Sequence, residues 1–413
     1  MEGKDNASTS SVFYIARDIE CCIYRVPNSF RNVKREAYTP QLISIGPLHR
    51  GDDRLKGMEE QKLRYFKEFA ERDGMDTKKI EDLVICIRDK EADIRACYSE
   101  NFNEITSSDF IKMILLDAVF IIEFFQRSND GPSQNLKPWM IFDIREDLML
   151  LENQLPFFII EKIYDVAGDT RQETRGAEKY PFLKLATVHF GKYLFSQGDV
   201  QGVHESWQWH FTDLIRSFML KGSIQRSCNF QAFPVKLKYN AVMLRQSGMK
   251  FQVTEDKCLL NIKFEKGVLK LPRLEVDHRF ERLVRNIMAY EQCCTPFRAY
   301  VCNYIMFMDH LIDSAEDVDL LAENRIIHNL LGNDAALSDM INKLCETIPN
   351  TYTCYDDICR KMNAYYENPW NRRKATLKLV YFPNIWRGTA TVAAATLLIL
   401  TFIQTICSVK SVS

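Results

Sequence analysis

The chain has 413 residues, of which 46% are hydrophobic and 26% charged, with 54 basic side chains against 55 acidic ones. This composition excludes a disordered chain, and a net charge of −1 excludes a global field for nucleic acid, so any basic site is local. The length suits one large domain or about two or three average ones.

The opening residues, MEGKDNASTSSVFYIARDIE, contain no apolar core of signal-peptide length, and residues 1–15 read as a polar, disordered lead with one glycosylation triplet, Asn6-Ala7-Ser8. The 13 cysteines include no CxxC, and their only adjacent pairs are Cys21–Cys22 and Cys293–Cys294. Reduced, mostly buried thiols in a cytosolic body are expected.

Residues 21–50 are punctuated by Pro27, Pro40, Gly46 and Pro47, which predicts an irregular segment with one short strand around Ile43, Ile45 and Leu48. From Leu55 the period becomes helical. Met58, Leu63, Phe66 and Phe69 mark a first apolar face, and Ile80, Val84, Ile87, Ile94 and Cys97 mark a second, capped at Asp76 or Thr77. Asp109 is read as the cap of FIKMILLDAVFIIEFFQR, a central helix apolar nearly all round. Asp117 and Glu123 interrupt it and argue against a membrane span there. Loops are expected over 128–137 and 168–180. Between them, the helical run from Ile141 to Gly168 should kink or split at Pro156.

Further helices are predicted over 182–196, 205–220 and Asn240–Gln246, the last stopping at Gly248. Lys250–Val253 reads as a strand. The alternation of Leu260, Ile262 and Phe264 with polar residues, then Lys266-Gly267, predicts a β-hairpin. Helices resume over Phe280–Gln292 and Pro296–Asp313. A capping box at Ser314–Asp317 starts VDLLAENRIIHNLL, read as a helix closed by Gly332. Leu337–Ile348 and Tyr355–Tyr366 follow. The fold class is mainly α, a large helical body over 16–369 with a small β insert at about residues 250–275.

The last hydrophobic run, Gly388 to Val409, has no charged residue and would make a helix roughly 33 Å long, enough to cross a bilayer. Gly388, Ala394, Leu398, Leu400, Phe402 and Ile406 are its anchor residues, and 410–413 form a short tail. The linker 370–387 carries Arg372, Arg373, Lys374, Lys378 and Arg387, interleaved with Trp370, Tyr381, Phe382 and Trp386, against Lys410 alone beyond the run. These cations suit anionic headgroups and the rings suit the interface. The positive-inside rule then puts the body in the cytosol, the plasma membrane being favoured over endomembranes.

Several motifs resemble one family along almost the whole chain. They include Val26-Pro27, Phe30-Arg31, Ile45-Gly46-Pro47-Leu48-His49, Met58-Glu59 with Lys62, Leu116-Asp117, and Leu150-Leu151-Glu152-Asn153-Gln154-Leu155-Pro156-Phe157-Phe158. Gly248-Met249-Lys250-Phe251, Arg285-Asn286, Tyr290-Glu291-Gln292-Cys293, Ala315-Glu316-Asp317-Val318, Trp370-Asn371-Arg372 and Tyr381-Phe382 follow in order. The chain is similar to the plant domain of unknown function 247, or UPF0481, proteins. Where that family often carries an "AG-V-K-F" pattern, this chain has Ser247-Gly248-Met249, a conservative departure. The resemblance implies a mostly helical plant protein with a C-terminal transmembrane anchor, and no established activity. An association of some grass members with self-incompatibility implies recognition or signalling.

No P-loop, GxGxxG, GxSxG or HExxH occurs. Gly46, Pro47, His49 and Arg50 form the densest motif, read as a general base beside a cation or as a Gly-Pro turn. Glu152, Asn153 and Gln154 read as a polar site or as caps of the helix break at Pro156. Asp309, Asp313, Glu316, Asp317 and Asp319 lack a calcium-loop pattern. His189, His204, His210, His278, His310 and His328, with Cys345, Cys354 and Cys359, lack zinc spacing. No catalytic set, cofactor or metal is expected. The leading expectation is a non-enzymatic, tail-anchored protein that binds the lipid bilayer and a protein partner. The alternative is a membrane-associated enzyme with a cleft near His49, Arg50 and Glu152.

Overall fold

The computed structural model describes residues 21–130, 136–168, 181–194, 208–220, 235–256, 258–346, 348, 354–377 and 385–412. The expected disordered lead 1–15, most of the loops 128–137 and 168–180, and the stretch 195–207 therefore lie in whole or in part outside the described residues.

The described chain opens in extended conformation. Ile23 makes an isolated parallel bridge to Tyr98, and short helical turns follow at Asn28–Arg31 and Arg35–Tyr38. Residues 43–48 are buried but form no strand, a correction to the short strand expected there. Their amides bond to side chains rather than to a neighbouring strand, as the site below shows.

Helix α1 (Lys56–Ala70) buries Met58, Lys62, Tyr65 and Phe69. Leu63, assigned to the apolar face by spacing, is instead exposed. The buried stripe passes through Lys62, whose ammonium sits 2.7 Å from the Asp117 carboxylate, and a hydrophobicity pattern does not see such a residue. Helices α2 (Thr77–Asp89) and α3 (Glu91–Ala96) divide the second expected face at Lys90. Asp76 caps α2 by accepting from the Lys79 amide at 2.8 Å.

Helix α4 (Ser107–Asp130) is the buried central helix that its all-round apolarity predicts. Its cap is Thr106 rather than Asp109. The Thr106 hydroxyl accepts from the Asp109 amide at 3.2 Å and donates to the Asp109 carboxylate at 2.8 Å, which puts Asp109 one turn inside. Helices α5 (Pro138–Leu148) and α6 (Phe157–Ala167) are separated at Pro156, as expected of a proline that removes a ladder donor. Helices α7 (Phe182–Leu194), α8 (Phe211–Leu220) and α9 (Ala241–Gln246) follow, the last capped by Asn240.

Strands β1 (Lys250–Thr254), β2 (Lys263–Glu265) and β3 (Val268–Pro272) form a sheet ordered β1-β3-β2. The β2–β3 pair is the expected hairpin. Lys266 and Gly267 turn it with φ of 49° and 79°, the two positive values of a type I′ turn. Strand β1 pairs parallel to β3, a crossover that alternation does not reveal. Strand β4 (Leu274–Val276) leads to α10 (Phe280–Cys294), α11 (Tyr300–Leu311) and α12 (Ala315–Glu323).

The helix expected to run to Gly332 ends at Glu323. Arg325 is left-handed at φ 60°, its amide bonds to Ala322 O at 2.8 Å, and the Ile326 amide bonds to Leu321 O at 2.9 Å. These are the two bonds of a Schellman stop. Strand β5 (Ile327–Asn329) then pairs parallel with β4, Leu274 opposite Ile327. Helices α13 (Asp334–Cys345), α14 (Asp356–Glu367), α15 (Pro369–Thr376) and α16 (Ile385–Val412) complete the chain.

The chain forms two compact units, Met1–Arg226 with His278–Cys302, and Ser227–Asp277 with Asn303–Ser413. In the first, α4 packs against α1, α2, α6 and α7. Phe125 stacks on His189 at 4.1 Å and on Phe182 at 6.0 Å in an aromatic core closed by Phe157 and Phe211. In the second, the sheet lies against α14. Phe264 meets Tyr365 edge-on at 5.8 Å, and the Tyr355 hydroxyl donates to Leu260 O at 3.1 Å. Among the described residues eleven thiols are free, but Cys354 is held in a disulfide, which corrects the expectation of reduced thiols at that position. A disulfide requires only that folding bring two Cβ atoms together, and linear spacing does not show this.

Candidate functional site

The turn between α5 and α6 gathers the polar residues singled out in the sequence. Pro156 prevents the helix from continuing, and the freed carbonyls find side chains. Gln154 Nε2 donates to Leu148 O and Leu150 O, both at 2.7 Å, while its Oε1 accepts from the Phe211 amide at 3.0 Å. Asn153 Nδ2 donates to Asp147 O at 3.0 Å. These bonds cap the break.

The same turn also holds the irregular segment 25–49, an arrangement that sequence spacing does not reveal. Asn153 Oδ1 accepts from the Ile45 amide at 2.7 Å, and its Nδ2 donates to Ile43 O at 3.0 Å. Asp147 accepts from the amides of Gln41, Leu42 and Ile43 at 2.8, 2.7 and 2.9 Å, and pairs with Arg282 at 3.0 Å. Asp117 accepts from the Gly46 amide at 2.8 Å, and its partner Lys62 also donates to Ser44 O. Asn286 bridges the Leu151 amide at 3.0 Å and Ala37 O at 2.8 Å. Buried side chains thus do for this segment what a neighbouring strand would do.

Glu152 is the electrostatic centre. It is fully buried, accepts from the Val26 amide at 2.6 Å, and pairs with Arg31, with Arg25 at 3.8 Å, and with His49. His49 Nε2 stands 3.0 Å from Glu152 Oε2, a close polar contact without hydrogen-bond alignment. Burial alone would lift the Glu152 pKa. The imidazole, the Arg31 guanidinium and the Val26 amide outweigh it and hold the carboxyl below its usual value. A carboxylate fixed in its charged form by cations is a poor proton acceptor, so the arrangement suits an ion-pair clasp better than acid–base chemistry.

Gly46 and Pro47 are buried in the turn, while Arg50 is exposed. At Gly46, φ is 70°, and a Cβ would lie 2.6 Å from Gln154 O and 2.9 Å from the Tyr98 hydroxyl, so only glycine fits. Tyr98 in turn donates to Gln154 O at 2.9 Å. His210 is buried beside this turn. Its Nε2 reaches Cys22 O at 3.1 Å, and its ring packs edge-on against Tyr290 at 4.9 Å. Burial lowers its pKa to about 3.

Sequence spacing also missed a gathering of thiols. The Cys22 amide bonds to Cys97 O at 3.0 Å, and Cys294 Sγ donates to Cys22 O at 3.4 Å. Burial pushes the Cys293 thiol up to about 11 and raises Cys294 as well, which leaves both protonated and poorly nucleophilic. The two adjacent cysteine pairs were visible, but not that the fold joins them. In the acidic cluster, Asp317 is occupied as the α12 capping-box residue, accepting from the amides of Asp313 and Ser314 at 3.1 Å each. Among the described residues no group of three ligating side chains converges on a metal position.

The C-terminal candidates fall on α15 and α16. Arg372, Arg373 and Lys374 are exposed on α15; Trp386, Arg387 and Gly388 lie in the first turn of α16, with Trp386 exposed; Lys378, Tyr381 and Phe382 lie outside the described residues. Thr389–Ser408 is long and apolar enough to cross a membrane and is the one such stretch among the described residues. Ala394, Leu398, Leu400, Phe402 and Ile406 are all exposed along it.

A family described as plant protein of unknown function matches residues 23–400, a span that takes in both the clasp and part of α16. A UPF0481 protein of Arabidopsis thaliana is 28% identical over 95% of this chain and 87% of its own length. A putative UPF0481 protein of the same plant is 22% identical over 94% of this chain and 90% of its own. No solved structure matches.

Proposed function

From the premise that this chain belongs to the plant family of domain of unknown function 247 (UPF0481) proteins, we propose that it is a single-pass membrane protein, held by α16, whose body recognises a protein partner. The observation that carries the anchor is the exposure of α16. Leu397, Leu398, Ile399 and Leu400 are each more than half exposed, and four successive residues point to nearly every side of a helix. Each such side chain favours an apolar environment over water by about 1.5–3 kcal/mol. The bilayer supplies that environment.

The cations before α16 favour a cytosolic body by the positive-inside rule, and the eleven free thiols among the described residues agree with it. The Cys354 disulfide weighs for the opposite face. Protease added to sealed vesicles with their cytosolic face outward should remove the body, whereas a protected body reverses the orientation.

Two observations support recognition over catalysis. The densest polar cluster, around Glu152, holds the chain's own backbone. Trp139 and Phe142, one turn apart on α5, present exposed aromatic surface of the kind enriched at binding sites. After mild solubilisation of its own membrane, the chain should migrate as a larger species than the purified chain in the same detergent. Identical migration of the two contradicts a bound partner.

A further inference from the structure

Helix α15 packs by one edge and leaves another open. Asn371 and Ala375, four residues apart, form the packed edge. Asn371 Nδ2 donates to Tyr365 O at 3.0 Å, and Ala375 is buried where a Cβ on Gly248 would come within 3.2 Å of it. Gly248 is left-handed at φ 89°, so the turn after α9 offers bare backbone against which the helix can seat closely. Trp370, Arg373, Lys374 and Leu377 recur at i, i+3, i+4 and i+7, and therefore share a stripe turned away from that edge. All four are exposed, Trp370 at 73% and Leu377 at 54%. Arg373 lies 5.8 Å over the Trp370 ring, whereas Arg372, off the stripe, lies over Tyr366 at 5.5 Å.

An apolar residue at each end and two cations between them is the composition of a helix that lies in a membrane interface, with rings and aliphatic chains at headgroup depth and cations on the phosphates. Chain length supports the same occupant. Leu377, the near end of the stripe, is eight residues before Ile385, so it stays within about 28 Å of the start of α16.

We propose that the Trp370–Arg373–Lys374–Leu377 face of α15 docks on anionic phospholipid headgroups, so that the body is seated on the bilayer through the Gly248 contact rather than merely tethered to it. This rests on the membrane-anchor reading of α16. Two cations at an anionic surface add an attraction that salt weakens.

The test uses the full chain in vesicles of phosphatidylcholine alone and of phosphatidylcholine with about 30% phosphatidylserine. Hydroxyl-radical labelling of Trp370 is read by mass spectrometry, and flotation is measured on the same samples. Labelling should be about threefold slower with phosphatidylserine, and the difference should vanish in high salt and in R373E/K374E. R373E alone should lose much of the difference, whereas R372E, of equal charge change, should keep most of it. If Trp370 labels equally in both vesicles, or if R372E and R373E act alike, the docking face is wrong although the anchor stands. A chain that fails to float with either vesicle overturns the anchor itself.

Discussion

At the scale of residues, the fold depends on a few buried polar groups. Glu152 holds Arg31, Arg25, His49 and the Val26 amide together. Glu152→Gln keeps the shape and removes the charge, stranding the Arg31 guanidinium, and should cost about 3 kcal/mol. Urea titration of the full chain in mild detergent measures it, and a loss below about 1 kcal/mol would show the clasp to be incidental. His210 gives a pH signature. Its pKa falls from an ordinary value near 6.5 to about 3 because burial disfavours the imidazolium. The unfolded chain therefore binds a proton that the folded chain refuses. This group's stability is fully present above about pH 6.5 and is lost progressively as pH falls toward 3, by roughly 2 kcal/mol at pH 5. His210→Gln should flatten that part of the profile. The residue types at these positions were legible in the sequence, since Glu152, Asn153, Gln154 and the Gly46-Pro47 turn stood out. Their partners were not, because Val26 and Arg31 lie more than 100 residues from Glu152, Ile45 lies 108 from Asn153, and Asp117 lies 71 from Gly46.

At the scale of elements, local rules worked where the chain decides alone. The Asp76 cap, the break at Pro156, the Lys266-Gly267 turn and the Ser314–Asp317 box all follow from neighbours a few residues apart. They failed where a distant partner decides. The sequence NRIIHNLL continues a helical period, yet β4 captures Ile327–Asn329 after the stop at Arg325. Leu63 has the right spacing for the core, but Lys62 is buried because Asp117 awaits it. Arg325 is exposed and left-handed without being glycine, so Arg325→Gly should stabilise by about 1 kcal/mol, seen as a higher urea midpoint with unchanged slope. Gly46→Ala should do the reverse, because its Cβ meets Gln154 O and the Tyr98 hydroxyl. A loss of more than about 2 kcal/mol is expected, with increased proteolysis between Arg25 and Arg50.

At the scale of the whole molecule, the helical class and the C-terminal apolar helix were both readable, since periodicity and length are local properties. The division into two units was not, because residues 278–302 return to the first unit after an excursion of some fifty residues that belongs to the second. The central claim is that α16 fixes this protein in a bilayer. Alkaline carbonate extraction of membranes carrying the full chain, beside a chain ending at Trp386, tests it most directly. The full chain should remain in the membrane pellet and the shortened chain should pass into the supernatant. Release of the full chain by carbonate would contradict the account.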